Sequence, residues 1–507
     1  MAIQIALKLN LPEAAQAQFM RHPLPRRAIS RHGAALVSVY YDTRHWTLHK
    51  QGIILRLRKQ GAGWVQTVKH DAGAAGGLTT RSEWEAPYLN RFDFSFVDAE
   101  AVRCVLEKPR VTQGLAALFE TNFRRVTWQL QPAPGTTVRM MLDRGWIAAN
   151  GRRAPISEVE IELVCGSRAQ LYAVALDLAA RIPLTPELVS KTERGYRLAH
   201  DIRPAPVRAG AVPIAADAHP LAAFRAITLN CLAHLHHNHA GALRGDDPEY
   251  VHQMRVATRR LRAALRLFAP LLPDDFAAQF MPPLHELMAV LGRTRDLDVL
   301  LAEIVGPVSA SLANDPRIST LADMLTDQLY ATREKTADYL THPGYGRLLL
   351  LVAAELHGKV LAAQVATAEG DSAVTLRDFA QRRLRKLQQR THLLAELANI
   401  DNPSSLHALR ITIKRLRYAL EFFGPLLPQR SFATAAKRLA TLQDKLGQIN
   451  DLANAGMVLM TLAGTDAKLR EAVALIGGWH APRHAALLAA VPAHLKAVRK
   501  LRLPKLK

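Results

Sequence analysis

Apolar positions change period once along this chain. In the first two hundred residues they alternate with polar ones every second position. IQIALKL, GIILRLRKQ, GWVQTVKH, RVTWQLQP, TVRMMLD and ISEVEIELV are such runs, separated by Gly, Pro and Asn. This period predicts short antiparallel strands. In IILRLR and EVEIEL the polar positions are charged, so one strand face is apolar and the other carries Arg or Glu. Many strands with one charged face imply a barrel with a polar lumen. A helix, SRAQLYAVALDLAARI, follows the last strand. Beyond it the spacing turns helical and stays so. Long Ala/Leu-rich segments end at Pro or Gly stops such as APLLPDD, HPGYG, DNPSS and GPLLPQ, which reads as all-α bundles. Residues 203–218, RPAPVRAGAVPIAADA, suit a linker. The expected fold class is therefore α+β and multidomain. An antiparallel β-barrel spans 1–202 and an all-α domain spans 219–507.

The helical part repeats itself. VHQMRVATRRLR at 251–262 matches LHALRITIKRLR at 406–417, an offset of 155 residues. The match runs on, RLRAALRLFAPLLP facing RLRYALEFFGPLLP and LMAVLGRTRDL facing LQDKLGQINDL. It needs no gap, and about 18 of roughly 45 positions are identical. This is a duplicated helical unit. On a helix, His252, Arg255, Arg259, Arg262 and Arg266 fall within a sector of roughly 80°. Met254, Ala257, Leu261, Leu265 and Phe268 take the opposite side as core. The second copy repeats the stripe with His407, Arg410, Lys414 and Arg417, and the core with Leu409, Leu416, Leu420 and Phe423. Glu421 stands where Arg266 stood.

Four or five cations on one helix face repel one another by a few tenths of a kcal/mol per pair. Acidic residues that would relieve them are nearly absent from both stripes. An uncompensated cost written twice points to an external anion; the alternative is a solvated basic face. Arg offers bidentate donors to phosphate, Lys a point charge, and His a donor that charges near neutral pH. Nucleic-acid binders interleave aromatics for stacking. The stripes have none, since Tyr418 lies off its stripe, so bare phosphate chains fit better than nucleic acid.

Composition agrees. The formal net charge is +22, divided as about +11 in each half of the chain. No terminal tail accounts for it. Cys104, Cys165 and Cys231 have neither metal spacing nor obvious partners, which suits a reducing, cytoplasmic compartment. The N-terminus lacks a signal peptide pattern, and no apolar run is long enough for a membrane span. RDFAQRRLRKLQQR at 377–390 and the terminal KAVRKLRLPKLK either extend a phosphate track or are solvated. HLHHNH at 234–239 lacks a Cys or carboxylate at zinc spacing.

The paired HQMRVATRRLR and HALRITIKRLR phrases, followed by LGRTRDL and LGQINDL, resemble CHAD, the conserved histidine α-helical domain. The resemblance implies two pseudo-symmetric bundles around a basic groove that binds inorganic polyphosphate; the expected function is a polyphosphate-binding protein associated with polyphosphate granules. The resemblance marks His252, Arg255, Arg259, Arg262, Arg293 and Arg295, then His407, Arg410, Lys414 and Arg417. Gln448 and Asn450 replace the second copy's counterparts of Arg293 and Arg295. Asp296 and Asp451 recur, in a position to orient Arg or cap a helix.

The first two hundred residues resemble the CYTH family of triphosphate tunnel metalloenzymes. YYDT, LRLRK, VQTVKH, GGLTTRSEWE, LDRG, SEVEIEL and SKTERGY carry the likeness. The resemblance implies an eight-stranded tunnel in which cations hold a triphosphate and glutamates hold Mg²⁺ or Mn²⁺. Lys8, Arg56, Arg58, Lys69, Arg81, Arg125 and Lys191 are the matching cations; Glu158 and Glu160 are the remaining metal candidates. The family opens with Glu-x-Glu-x-Lys, whereas this chain reads Gln4-Ile5-Ala6-Leu7-Lys8. Losing two carboxylates lowers metal affinity and leaves the lumen positive. The expectation is a tunnel that binds triphosphate or polyphosphate ends but hydrolyses them poorly, with no confident catalytic residue. The alternative is an active metal-dependent triphosphatase that uses CHAD to gather substrate.

Overall fold

The structure is a computed structural model, describing residues 4–75, 78–313, 315–358 and 375–506. It divides into two compact units, Met1–Ala205 with Leu340–Leu361, and Pro206–Tyr339 with Ala362–Lys507.

The first unit is built on an antiparallel sheet. Its strands are β1 (Gln4–Asn10), β2 (Ser30–Thr43), β3 (Ile53–Gln60), β4 (Gly63–Ala75), β5 (Leu78–Pro87), β6 (Leu115–Ala133), β7 (Thr136–Ala149) and β8 (Arg152–Cys165). The order is β5-β4-β3-β2-β6-β7-β8-β1, and a two-residue ninth strand, Thr185–Pro186, pairs with β1. β1 also pairs with β5, from Gln4 opposite Arg81 to Leu7 opposite Leu78, so the circuit of pairings is complete. A side chain and its directly opposite partner share a face. Register therefore gathers the charges: Lys8 lies opposite Glu160, Ala6 opposite Glu162, Arg125 opposite Asp143, Asp143 opposite Glu158, and Lys69 opposite Glu83. The alternate positions Leu7, Leu9, Val138, Leu142, Val159 and Ile161 are buried. The expected helix forms as α1 (Arg168–Ala179) and packs on β6 and β8. α2 (Lys191–Ala199) follows, capped by the Ser190 side chain.

One assignment differs from the sequence reading. The helix Pro343–Leu356, inside the stretch read as the second domain, belongs to the first unit. Its PGYGRLLLLVAAEL run buries Leu348, Leu349, Leu350 and Val352, packing on α1. A Cβ on Gly346 would stand 1.7 Å from the Leu184 carbonyl oxygen, so only glycine permits the approach.

The second unit is helical. Its elements include α3 (Pro220–Arg244), α4 (Pro248–Phe268), α5 (Met281–Val299), α6 (Leu376–Leu397), α7 (Pro403–Phe422) and α8 (Gln429–Ala463). The duplication extends to the helix starts. Asp247 caps α4 and Asn402 caps α7, each followed by Pro at the first helical position. A cap of this kind contributes about 1 kcal/mol. Both helices run into 3₁₀ turns, Ala269–Leu271 and Gly424–Leu426. All the apolar positions named for the two copies are buried. The segment read as a linker is irregular but tied down. Asn238 of α3 accepts from the Val207 N–H and donates to the Val207 carbonyl, both at 2.9 Å.

Candidate phosphate sites in the two units

The lumen of the first unit has two electrically different walls. On β6, β7, β8 and α2 the charges are paired. The Arg125 guanidinium makes two 2.7 Å bonds to Asp143 and reaches Glu160 at 3.2 Å. Lys191 contacts Asp143 at 2.9 Å and also Glu158, whose other oxygen lies 2.7 Å from Arg194. Burial pulls both Arg125 and Lys191 down, but Asp143, Glu158 and Glu160 together outweigh it, so both are held above their ordinary pKa. Burial would likewise raise Glu160; Lys8 and then Arg125 push it well below the usual carboxylate range.

The β3–β5 wall is short of anions. Arg56 and Lys69 share Glu83, at 3.1 and 2.8 Å, and the one further carboxylate, Glu85, stands 3.9 Å from Arg56. Arg58 is the third cation there. The Nε atoms of Arg56 and Arg58 are buried without a hydrogen-bond partner. Burial, then Arg56, lowers Arg58 to about 10. Burial, then Arg56, lowers Lys69 to about 7. A cavity of about 140 Å³ opens between the walls, lined by Lys8, Arg56, Arg58, Lys69, Arg125, Lys191 and the carboxylates Glu83 and Glu160. Arg125 and Lys191 are already paired with Asp143 and Glu158 behind the lining, so the charge left for an anion lies on the β3–β5 wall. The structure thus brings together six of the seven cations named from sequence. The side chains of Arg81 and Gln4 lie outside the described residues.

Glu158 and Glu160 are each engaged by cations. Among the described residues no group of three or more His, Cys, Asp or Glu is placed to hold a metal ion. In the HLHHNH stretch, His234 bonds Gln253 at 3.0 Å and Asn238 holds Val207, both structural roles.

In the second unit α4 packs against α7, and the two basic stripes meet. Arg255 pairs with Asp296 of α5 at 3.0 Å, and the repeat-equivalent Arg410 stands 4.0 Å from Asp451 of α8. Arg259 and Lys414, also repeat equivalents, sit between them. Lys414 falls to about 7, first through burial and then through Arg410, Arg259 and Arg255, against which only Asp451 pulls upward. Arg259 and Arg410 are lowered chiefly by burial. His252 drops to about 4 through burial, then Arg295. The Nε atoms of Arg255, Arg259, Arg262 and Arg410 are buried without hydrogen-bond partners. These are donors without acceptors, arranged about one groove.

Other named positions distribute unevenly. Arg295 acts on His252, but Arg293, two residues away and so about 200° around the helix, is exposed. His407 is exposed and Arg417 is half-buried. Arg262 reaches His285 at 2.6 Å. Tyr418 is off its own stripe, as its position requires, yet it hydrogen-bonds Arg259 of the other copy. It sits on the α7 face that packs against α4. Arg260, 1% exposed, pairs with Glu421 at 2.9 Å. The sequence signal for that pair was Glu421 interrupting the stripe.

The CYTH domain family model matches residues 3–196, and the CHAD domain model matches residues 226–459. An inorganic triphosphatase of Haemophilus influenzae is 25% identical over 199 residues, which are 38% of this chain and 54% of that protein. The chain thus spans about half the length of that relative. The crystal structure of the CHAD domain from the plant Ricinus communis is 34% identical and covers 60% of this chain and 99% of its own, with a TM-score of 0.52. No helix among the described residues is long and apolar enough to cross a membrane.

Proposed function

Since the chain belongs to the CHAD family and carries a CYTH domain, we propose that it is an inorganic polyphosphate-binding protein. In this reading its tunnel holds triphosphate or phosphate-chain ends and hydrolyses them poorly. The observation that carries the reading is the meeting of the two stripes: Lys414 is driven to about 7 among Arg410, Arg259 and Arg255. A polyanion removes that cost by supplying the missing acceptors. The protein is expected at cytoplasmic polyphosphate granules, where a fluorescent fusion would be tested for co-localisation with stained polyphosphate.

The tunnel belongs to a metal-dependent family, in which a bound Mg²⁺ or Mn²⁺ polarises the scissile phosphoanhydride. The donor set here does not fit such an ion. Hard cations need several carboxylate or carbonyl oxygens. Ala6 offers none opposite Glu162, and the lysines and arginines already neutralise Glu158, Glu160 and Asp143. What remains is a binder. The β3–β5 wall offers unpaired guanidinium donors for phosphate oxygens, while the paired wall fixes the lumen's shape.

One assay tests both parts. Long-chain polyphosphate binding is measured at several salt concentrations, with phosphate release from triphosphate followed in Mg²⁺ or Mn²⁺. Tight binding that weakens steeply with salt is expected; absence of binding overturns the proposal. Turnover equal to that of a homologue with intact first-strand glutamates overturns the poor-hydrolysis part. Combining Gln4→Glu with Ala6→Glu should raise metal-dependent release.

A further inference from the structure

The duplication assigns every residue of α4 an equivalent 155 positions on in α7. Because α4 packs against α7, a contact between the copies has a mirror contact in which the roles are exchanged. Arg260 and Glu421 form one such contact at 2.9 Å, with Arg260 almost wholly buried. Their equivalents are Arg415 and Arg266. The same place on the other side of the pseudo-twofold therefore holds two cations instead of an ion pair.

The surroundings do not compensate it. Arg266 is depressed by burial and then by Arg415. One turn earlier on the stripe, Arg262 donates to His285 at 2.6 Å, and its Nε is buried without a partner. Helix α6 contributes Arg383, whose Nη2 donates to the Arg266 carbonyl at 3.3 Å and whose Nε also lacks a partner. Among the described residues, no carboxylate lies within ion-pair distance of any of these four arginines.

We propose that the groove is open at one end only, and that Arg262, Arg266, Arg415 and Arg383 form a phosphate-oxyanion site where a bound polyphosphate chain emerges. This rests on the polyphosphate reading and sharpens it. Guanidinium forks match tetrahedral phosphate oxygens bidentately. The site continues the stripe that carries Arg255 and Arg259, so a chain lying along that stripe reaches it without a break. At the opposite end the Glu421 carboxylate repels the same chain and locks Arg260 away. One residue difference between the copies thus converts a symmetric groove into a one-ended one.

The test uses the full chain, long-chain polyphosphate and tripolyphosphate as probes, and four variants. Arg266→Glu recreates the mirror ion pair with Arg415 and so keeps the fold supported; thermal unfolding checks this. Arg266→Gln and Arg415→Gln each remove one fork. Arg483→Gln is the control at an exposed position outside the groove. Arg266→Gln and Arg415→Gln should each weaken long-chain binding several-fold and reduce the salt slope by about one counterion. Their combination should cost less than the product of the two, because they serve one site. Arg266→Glu should weaken binding most, and tripolyphosphate, too short to run from the centre to the end, should lose less than the long chain. Arg266 variants that match Arg483→Gln on the long chain overturn the one-ended groove while leaving polyphosphate binding intact. A wild-type chain that binds no polyphosphate sinks both readings.

Discussion

The tunnel's paired wall and the helical groove are both rich in cations, yet they treat them in opposite ways. Arg125 and Lys191 are raised above their ordinary pKa by Asp143 and its neighbours. Arg259, Arg410 and Lys414 are lowered, with only distant or weak acidic help. The first set is complete without a ligand and stabilises the fold. The second is incomplete and stores a cost that an anion relieves. The β3–β5 wall, with Lys69 near 7, is of the second kind. Counting cations does not separate these cases; the carboxylates within reach do.

The largest test of that contrast is in the groove. Arg259→Gln combined with Lys414→Met removes the two central, repeat-equivalent cations. A hydrogen bond to a charged partner contributes about 1.5–3 kcal/mol, so polyphosphate affinity should fall by about two orders of magnitude or more. Titration calorimetry measures it. Because neither cation has a carboxylate within ion-pair distance among the described residues, the unfolding temperature should drop little. A large loss of stability instead would place them with the paired set.

The tunnel yields the converse pair. Lys191→Met removes one of the two cations that hold each of the buried carboxylates Asp143 and Glu158, leaving them with Arg125 and Arg194, which costs about 1.5–3 kcal/mol. Lys69→Met leaves Glu83 with Arg56 at 3.1 Å, so its effect on stability should stay within about 1 kcal/mol. Triphosphate binding should weaken nonetheless. Scanning calorimetry of the full chain together with triphosphate titration separates the two. Equal destabilisation by both substitutions contradicts the division of the lumen into two walls.

Much of this contrast is legible in the order of the residues. The alternation in IILRLR and EVEIEL puts the lumen charges on one face, and the 155-residue offset makes Arg255 and Arg410 equivalents. It offers Asp296 and Asp451 as residues that orient arginines or cap a helix, and they lie beside Arg255 and Arg410. What stays hidden depends on tertiary packing. A helical wheel separates Tyr418 from its own stripe correctly, but it is blind to the neighbouring helix whose Arg259 the hydroxyl meets. Arg293 and Arg295 share a motif, yet two residues on a helix face opposite ways, and only Arg295 acts on His252. The return of Pro343–Leu356 to the first unit depends on the bare backbone at Gly346 against Leu184, which no local period announces.

The smallest expected effect is on pH. An unfolded Lys414 is charged below about 10.5, whereas the folded one is charged only below about 7. Between those values folding must release a proton. The unliganded fold therefore loses stability as pH falls through the window, and the loss levels off below about 7. Bound phosphate favours the charged lysine against Arg410, Arg259 and Arg255, so binding takes the proton back. Affinity for long-chain polyphosphate should decline as pH rises above 7, by at most tenfold per unit from this group, and be flat in its contribution below. Long chains keep the titrating end phosphates a minor part of the signal. Calorimetry in buffers of different ionisation enthalpy should detect proton uptake near pH 8. Lys414→Arg keeps the charge at all these values and should flatten the profile. An unchanged slope in Lys414→Arg would assign the proton to another group, with Lys69 the next to substitute.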